Sequence, residues 1–153
     1  MDEIREFLSD DAGIANQYMT FIVGAENYGI KIEFVSEILT VQTITVVPEV
    51  PEYIKGIINM RGKILPVMDV RLRFNKEPIE YSDRTCFIVI NIDNTMVGLI
   101  VDSVREVMEI MPEDIVETED TAAEMQNRYI KAIGKTEEGV ILMLDIDRLI
   151  SDN

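Results

Sequence analysis

The sequence predicts a mainly β protein, built as two small five-stranded β-barrels packed together, with short helices. Two observations carry this. Short runs rich in β-branched and aromatic residues, such as Tyr18–Val23 and Thr85–Ile92, alternate with turn-forming residues along the whole chain. The chain also repeats itself. Tyr28-Gly29-Ile30-Lys31-Ile32-Glu33-Phe34-Val35-Ser36-Glu37 answers to Val97-Gly98-Leu99-Ile100-Val101-Asp102-Ser103-Val104-Arg105-Glu106, and Tyr53-Ile54-Lys55 through Asp69-Val70 answers to Tyr129-Ile130-Lys131 through Asp145-Ile146. A repeat constrains architecture before any local pattern does. The copies run over residues 18–76 and 84–150, inside one domain at 18–150 that follows an N-terminal tail at 1–17. Strands this few and short cannot form a broad sheet with a covered face. Closing each copy into a barrel removes the exposed edges.

Element by element, Asp2–Leu8 reads as a weak helix in a frayed tail, and Asp10–Gln17 as a loose connection. Tyr18–Val23 and Thr85–Ile92 are strands; the turn chemistry of Gly24–Tyr28 and Asp93–Thr95 folds them back onto Gly29–Ile32 and Gly98–Val101. Ile32, Val35 and Ile38, like Val101, Val104 and Val107, have i, i+3 spacing, which predicts a single helical turn in each copy. Met60-Arg61-Gly62-Lys63 and Glu137-Glu138-Gly139 are tight turns between apolar strands. Asp69 and Asp145 stand where N-caps are wanted, ahead of short helices at Val70–Phe74 and Ile146–Ile150.

Composition narrows the function. The chain has 153 residues, 47% of them hydrophobic, a formal charge of −15, one cysteine and no histidine. A chain of this length hides roughly 70% of its unfolded surface on folding, so a real core is expected. Phosphate neutralisation needs an excess of Lys and Arg, which disfavours nucleic-acid partners, and anionic lipid is disfavoured for the same reason. Without histidine there is no Ser-His or Cys-His nucleophile, no histidine base and no histidine metal ligand. Cys86, inside an apolar run, reads as a small buried hydrophobe. The lone cysteine, the absence of a signal-like N-terminus and apolar runs far shorter than a membrane span predict a cytoplasmic protein. Gly24-Ala25-Glu26-Asn27-Tyr28-Gly29-Ile30-Lys31 fails as a phosphate loop, because Ile30 stands where the lysine is required. The acids lack the spacing of a calcium loop. No enzyme activity, cofactor or metal is expected.

Residues that differ between the copies are candidates for function, since a shared fold does not need them. Arg61 faces an acidic turn in the second copy. Between Lys55 and Lys76 lie Lys55, Arg61, Lys63, Arg71, Arg73 and Lys76 against the single acid Asp69, whereas Glu106 to Glu124 holds acids and no base. Such an island either steers an acidic partner or merely balances nearby carboxylates. Arg61 presents a planar fork suited to a carboxylate. Its expected partner is Glu37 or, alternatively, an acidic residue of a binding partner. Gly56 and Gly98 have no side chain and leave room for close backbone approach; Gly98, echoed by Gly29, is equally open to reading as a requirement of the fold. Val35, Val104 and Val107 offer apolar contact of the kind an amphipathic helix needs. The methionines, Met60, Met68, Met96, Met108, Met111 and Met143 among them, read as core.

These residues carry a resemblance. Tyr18-Met19-Thr20-Phe21, Tyr28-Gly29-Ile30-Lys31-Ile32, Val35-Ser36-Glu37-Ile38, Ile54-Lys55-Gly56-Ile57-Ile58-Asn59-Met60-Arg61-Gly62, Pro66-Val67 and Asp69-Val70-Arg71 resemble the CheW family of chemotaxis coupling proteins. Gly98-Leu99-Ile100-Val101-Asp102, Val104, Glu106-Val107 and the stretch from Tyr129 to Leu149 continue it, so it spans residues 18–150. Met60 stands where the family usually has leucine, a volume-conserving change. The resemblance implies a non-catalytic scaffold of two linked barrels that ties the histidine kinase CheA to the cytoplasmic tips of methyl-accepting chemoreceptors. It implies a receptor tip lying in an apolar groove between the barrels. The matching positions here are Val35, Glu37, Ile38, Gly56, Asn59, Arg61, Gly62, Gly98, Val104 and Val107. It further implies barrel-to-barrel pairing with the kinase's own regulatory domain, and no direct membrane contact. The competing expectation is a small-molecule-binding or carboxylate-based catalytic barrel, which requires several acids to converge in a deep cleft.

Overall fold

A computed structural model describes residues 14–117 and 127–151. The weak helix expected at Asp2–Leu8 lies outside these residues. Among the described residues there are eleven strands: β1 (Gln17–Val23), β2 (Glu26–Lys31), β3 (Val35–Thr40), β4 (Ile54–Met60), β5 (Lys63–Asp69), β6 (Cys86–Ile92), β7 (Thr95–Val101), β8 (Ser103–Glu109), β9 (Ile115–Glu117), β10 (Ile130–Thr136) and β11 (Gly139–Leu144). Two short helices, α1 (Val70–Arg73) and α2 (Ile146–Ser151), follow β5 and β11. The expected N-caps are in place: Asp69 accepts from the Leu72 amide at 3.4 Å and Asp145 from the Arg148 amide at 3.1 Å.

The strands form a six-stranded sheet, in the order β8-β1-β2-β11-β10-β9, and a five-stranded sheet, in the order β3-β6-β7-β5-β4. The expected two barrels are thus two sheets rather than ladders closed on themselves. Their orders correspond strand for strand, apart from the extra β9. In each, two antiparallel hairpins are joined by one parallel pairing, Tyr28 with Leu142 in one sheet and Val67 with Gly98 in the other. Even the irregularities repeat, with a register shift at Ile54/Gly56 and another at Ile130/Ala132.

The compact units are not the sequence copies. Unit 2 is Phe34–Val104, and unit 1 takes the chain before it and after it. Each unit therefore joins the first hairpin of one copy to the later strands of the other. The expectation that a copy closes on itself fails for a simple reason. When two copies carry the same edge pattern, a hairpin pairs equally well with either set of later strands.

Helical turns are also scarcer than the apolar spacing suggested. Ile32–Phe34 makes one 3-10 turn, but Val35–Thr40 is a strand, and Val101 leads through a bend at Asp102 into β8 with no helix. Cross-strand pairing of β-branched residues outweighs the i, i+3 pattern here. The strands also start earlier than expected, because the turns need only two residues: Val23 pairs with Glu26 and Ile92 with Thr95. Asp93 and Asn94 both have positive φ (50° and 67°), as a type I′ hairpin turn requires.

Each unit has its own core. In unit 2, Ile58, Met60, Leu65, Val67, Phe87, Val89 and Ile100 cluster, with Leu39 of β3 packed against them. In unit 1, Tyr18, Ile110, Ala132, Ile141 and Met143 cluster, with Met108 and Ile115 alongside. Met60, Met68 and Met143 are core as expected, Met96 and Met108 are half-buried, and Met111 is exposed. Cys86 is half-buried rather than buried.

Candidate functional site

Although β3 and β4 are the two ends of the unit 2 ladder, the sheet curls until they meet. Leu39 of β3 packs on the cluster that holds Ile58 and Met60 of β4. The meeting line is then fastened by charge: Arg61 Nη2 donates to Glu37 Oε1. This is the first of the two pairings left open by the sequence. The Glu37 side chain is only 9% exposed, whereas that of Arg61 is 67% exposed. The guanidinium thus holds a nearly buried carboxylate with one edge and shows the rest of its fork to solvent.

The turn beneath Arg61 explains its reach. Met60 pairs with Lys63, leaving Arg61-Gly62 as a two-residue loop with φ of 52° and 87°. Positive φ suits glycine at Gly62 but is uncommon for arginine. Asn59 supports the turn, its Oδ1 accepting from the Gly62 amide at 2.8 Å. Asn59, Arg61, Gly62 and Glu37 are therefore brought together, as the sequence proposed.

Other candidates sit differently. Val35 is buried and packs inward. Gly56 does receive a close backbone approach, but from its own chain. Thr45 bridges to Ile57, and a Cβ on Gly56 would lie 2.2 Å from the Thr45 carbonyl oxygen. Gly98 is likewise an internal requirement, since a Cβ there would meet Val67 Cγ1 at 2.9 Å, as one on Gly29 would meet Ile141 Cγ2 at 2.8 Å. Both glycines are buried, and the space a side chain would take there is filled by the chain itself. Ile38 and Val104 are half-buried in unit 2, and Val107 is half-buried in unit 1.

Arg71 and Arg73 of the basic island are also engaged internally. Arg71 meets Asp102 at 2.6 Å and donates to the Glu77 carbonyl at 2.9 Å. Arg73 is buried, with its guanidinium 4.1 Å from the Tyr53 ring centre. Asp69 accepts from the Tyr81 hydroxyl at 2.8 Å as well as capping α1. Burial and this carboxylate push the Tyr81 hydroxyl well above its ordinary range.

The sequence reading missed Ile64. It lies opposite Asn59 and is 60% exposed. Strand alternation could have revealed it, because buried Leu65 and Val67 put Ile64 and Pro66 on the outer face. Also missed was a cleft of about 450 Å³ in unit 1, lined by Met108, Glu109, Ile110, Asp114, Lys135, Thr136 and Glu137. Its three acids are all exposed. Among the described residues, no three of Asp, Glu, His and Cys are grouped to hold a metal ion, and no helix is long and apolar enough to cross a membrane.

Comparison with known proteins places this geometry. Residues 17–153 match the family model described as CheW-like domain. The chain is 32% identical to the chemotaxis protein CheW of Klebsiella aerogenes, over 90% of this chain and 83% of that protein. It is 31% identical to CheW of Bacillus subtilis, over 86% and 85%. The crystal structure of the scaffolding protein TtCheW from Thermoanaerobacter tengcongensis superposes with a TM-score of 0.81 at 33% identity, covering 90% of this chain and 89% of that one. The chain belongs to the CheW family of chemotaxis scaffolds, a family that is non-catalytic.

Proposed function

We propose that this chain couples a CheA-type histidine kinase to the cytoplasmic tips of methyl-accepting chemoreceptors, working in the cytoplasm within receptor arrays. Residues 18–150 act as one coupling domain, with 1–17 as a tail. The observation that carries the reading is the Arg61 fork. An arginine sits in a left-handed turn, is pinned on one edge by Glu37, and stays open to solvent on the other. A fork so placed is prepared to take a second carboxylate from a partner without first paying the entropy of ordering a free side chain. Asn59 and Gly62 hold the turn. Ile38 and Val104 offer apolar contact in unit 2, and Val107 of unit 1 offers contact of the same kind. Val35, Gly56 and Gly98 act from inside, by shaping the strands that present the others. Barrel-to-barrel pairing with the kinase's regulatory domain completes the assembly.

Reconstitution tests this directly. Receptor tips and kinase should co-sediment with the chain, and kinase activity should rise only when it is present. Binding to neither partner would sink the proposal. Arg61→Ala should weaken the assembly about tenfold while its thermal melt stays close to that of the wild type. Full coupling by the folded variant would remove the role given to Arg61.

A further inference from the structure

The cleft of about 450 Å³ in unit 1 opens beside the point where the described chain starts. The Ile110 amide donates to the Asn16 carbonyl at 2.9 Å, and the Asn16 side-chain nitrogen lies 3.8 Å from Met111 Sδ. Ile110 is part of the cleft lining, so residues 1–13 enter unit 1 within a few positions of the cleft wall. The hairpin end on the far side is engaged through Arg105. Its Nη2 lies 3.1 Å from Glu138 Oε2, and its Nη1 donates to Asn27 Oδ1 at 3.1 Å. Glu137 is left lining the cleft, with Glu109 and Asp114 as further acids, Lys135 as the base, and Met108 and Ile110 as apolar surface.

We propose that residues 1–13 of the same chain fold back and fill this cleft. The segment has the means. Ile4, Phe7 and Leu8 have i, i+3, i+4 spacing, and on a helical period Asp2 and Glu6 fall opposite them with Arg5 alongside. Ile4 and Phe7 would then meet Met108 and Ile110, with Arg5 toward the carboxylates. Residues 9–13 form the tether. They reach ~17 Å when extended, and glycine at Gly13 eases the reversal of direction. Charge is not what holds the contact. The segment sets Asp2, Glu3, Glu6, Asp10 and Asp11 against Arg5 alone, and the cleft is itself net acidic. An acidic peptide arriving from solution would be turned away. A tethered one is present at an effective concentration on the order of millimolar, enough for apolar burial to outweigh that repulsion. The segment thereby competes within its own chain: anything else that docks in the cleft must first displace it.

Paramagnetic broadening on the full chain reads this contact with neither kinase nor receptor present. A nitroxide is placed on Glu3→Cys, with Cys86→Ser removing the native thiol. Serine keeps the bond that Cys86 donates to the Arg84 carbonyl at 3.4 Å, and a circular dichroism melt checks the fold. The amide signals of Met108, Ile110 and residues 135–137 should broaden. Adding Ile4→Asp and Phe7→Asp should cut that broadening about tenfold, because two apolar side chains no longer gain from burial. Dilution should leave it unchanged, and high salt should deepen it by screening acid from acid. Equal broadening with and without the two aspartates overturns the proposal, since the tether alone would then explain it. Broadening that falls on dilution overturns it too, by placing the segment in the cleft of a second copy. So does broadening that fades at high salt, which would make charge the holding force.

Discussion

Two seams in one chain solve the same problem with opposite charges. Both sheets curl until their end strands approach, and each needs something to hold the line where backbone ladders stop. Unit 2 uses an arginine on the hairpin end and a nearly buried glutamate on β3. Unit 1 puts the arginine on β8 and the glutamate on the hairpin end, both in reach of water. The first arrangement draws its partners together and presents a guanidinium. The second leaves an acid-lined opening beside it. A duplicated fold can thus keep its strands and exchange its charges, giving two surfaces of different character from one pattern.

The largest effect that separates the units is expected at Gly56, whose counterpart in unit 1 is Ala132. Gly56→Ala would place a methyl group 2.2 Å from a carbonyl oxygen at a φ of 147°, and should destabilise by about 3 kcal/mol in denaturant unfolding. A cost below about 1 kcal/mol would mean that Thr45 moves freely from β4.

Alkaline titration weighs on both units. Burial, with Glu26 nearby, pushes the Tyr28 hydroxyl up to about 12 from its ordinary value of 10.0, and Tyr81 rises further. Above pH 10 the unfolded chain releases protons that the folded chain still holds. Stability should therefore be complete below pH 10 and fall as pH climbs toward 12. Tyr81→Phe should remove the unit 2 share of that decline, as melts at pH 8 and pH 11 would show.

The seams themselves come next. Glu37→Gln should cost about 1 kcal/mol, since Arg61 can turn to water once released. Arg105→Ala, which breaks an exposed pair, should stay within about 0.5 kcal/mol. Equal losses in the two variants would erase the distinction drawn between the seams.

Much of this was legible in the residues. β-branched runs located the strands, Asp69 and Asp145 announced their helices, and an arginine beside glycine with a glutamate one strand away suggested its own ion pair. The exchange of hairpins was not legible. Hairpin register is set locally, but the parallel pairings of Tyr28 with Leu142 and Val67 with Gly98 are remote, and two similar copies satisfy either choice equally. Glycine posed a related difficulty at Gly56 and Gly98. Sequence shows that a side chain is missing, not which neighbour fills the space. The unit 1 cleft escaped notice because its lining comes from β8, the turn after it and β10, which only the fold assembles.

The exchanged hairpins also bear on synthesis. Unit 2 is one uninterrupted stretch and can collapse as soon as it leaves the ribosome, whereas β2 must wait for β11, made only after all of unit 2. The first hairpin therefore waits with an unpaired edge while unit 2 is made, the state in which strands aggregate or find a wrong partner. Because ladders between remote strands close slowly, unit 1 should fold more slowly than unit 2 and after it.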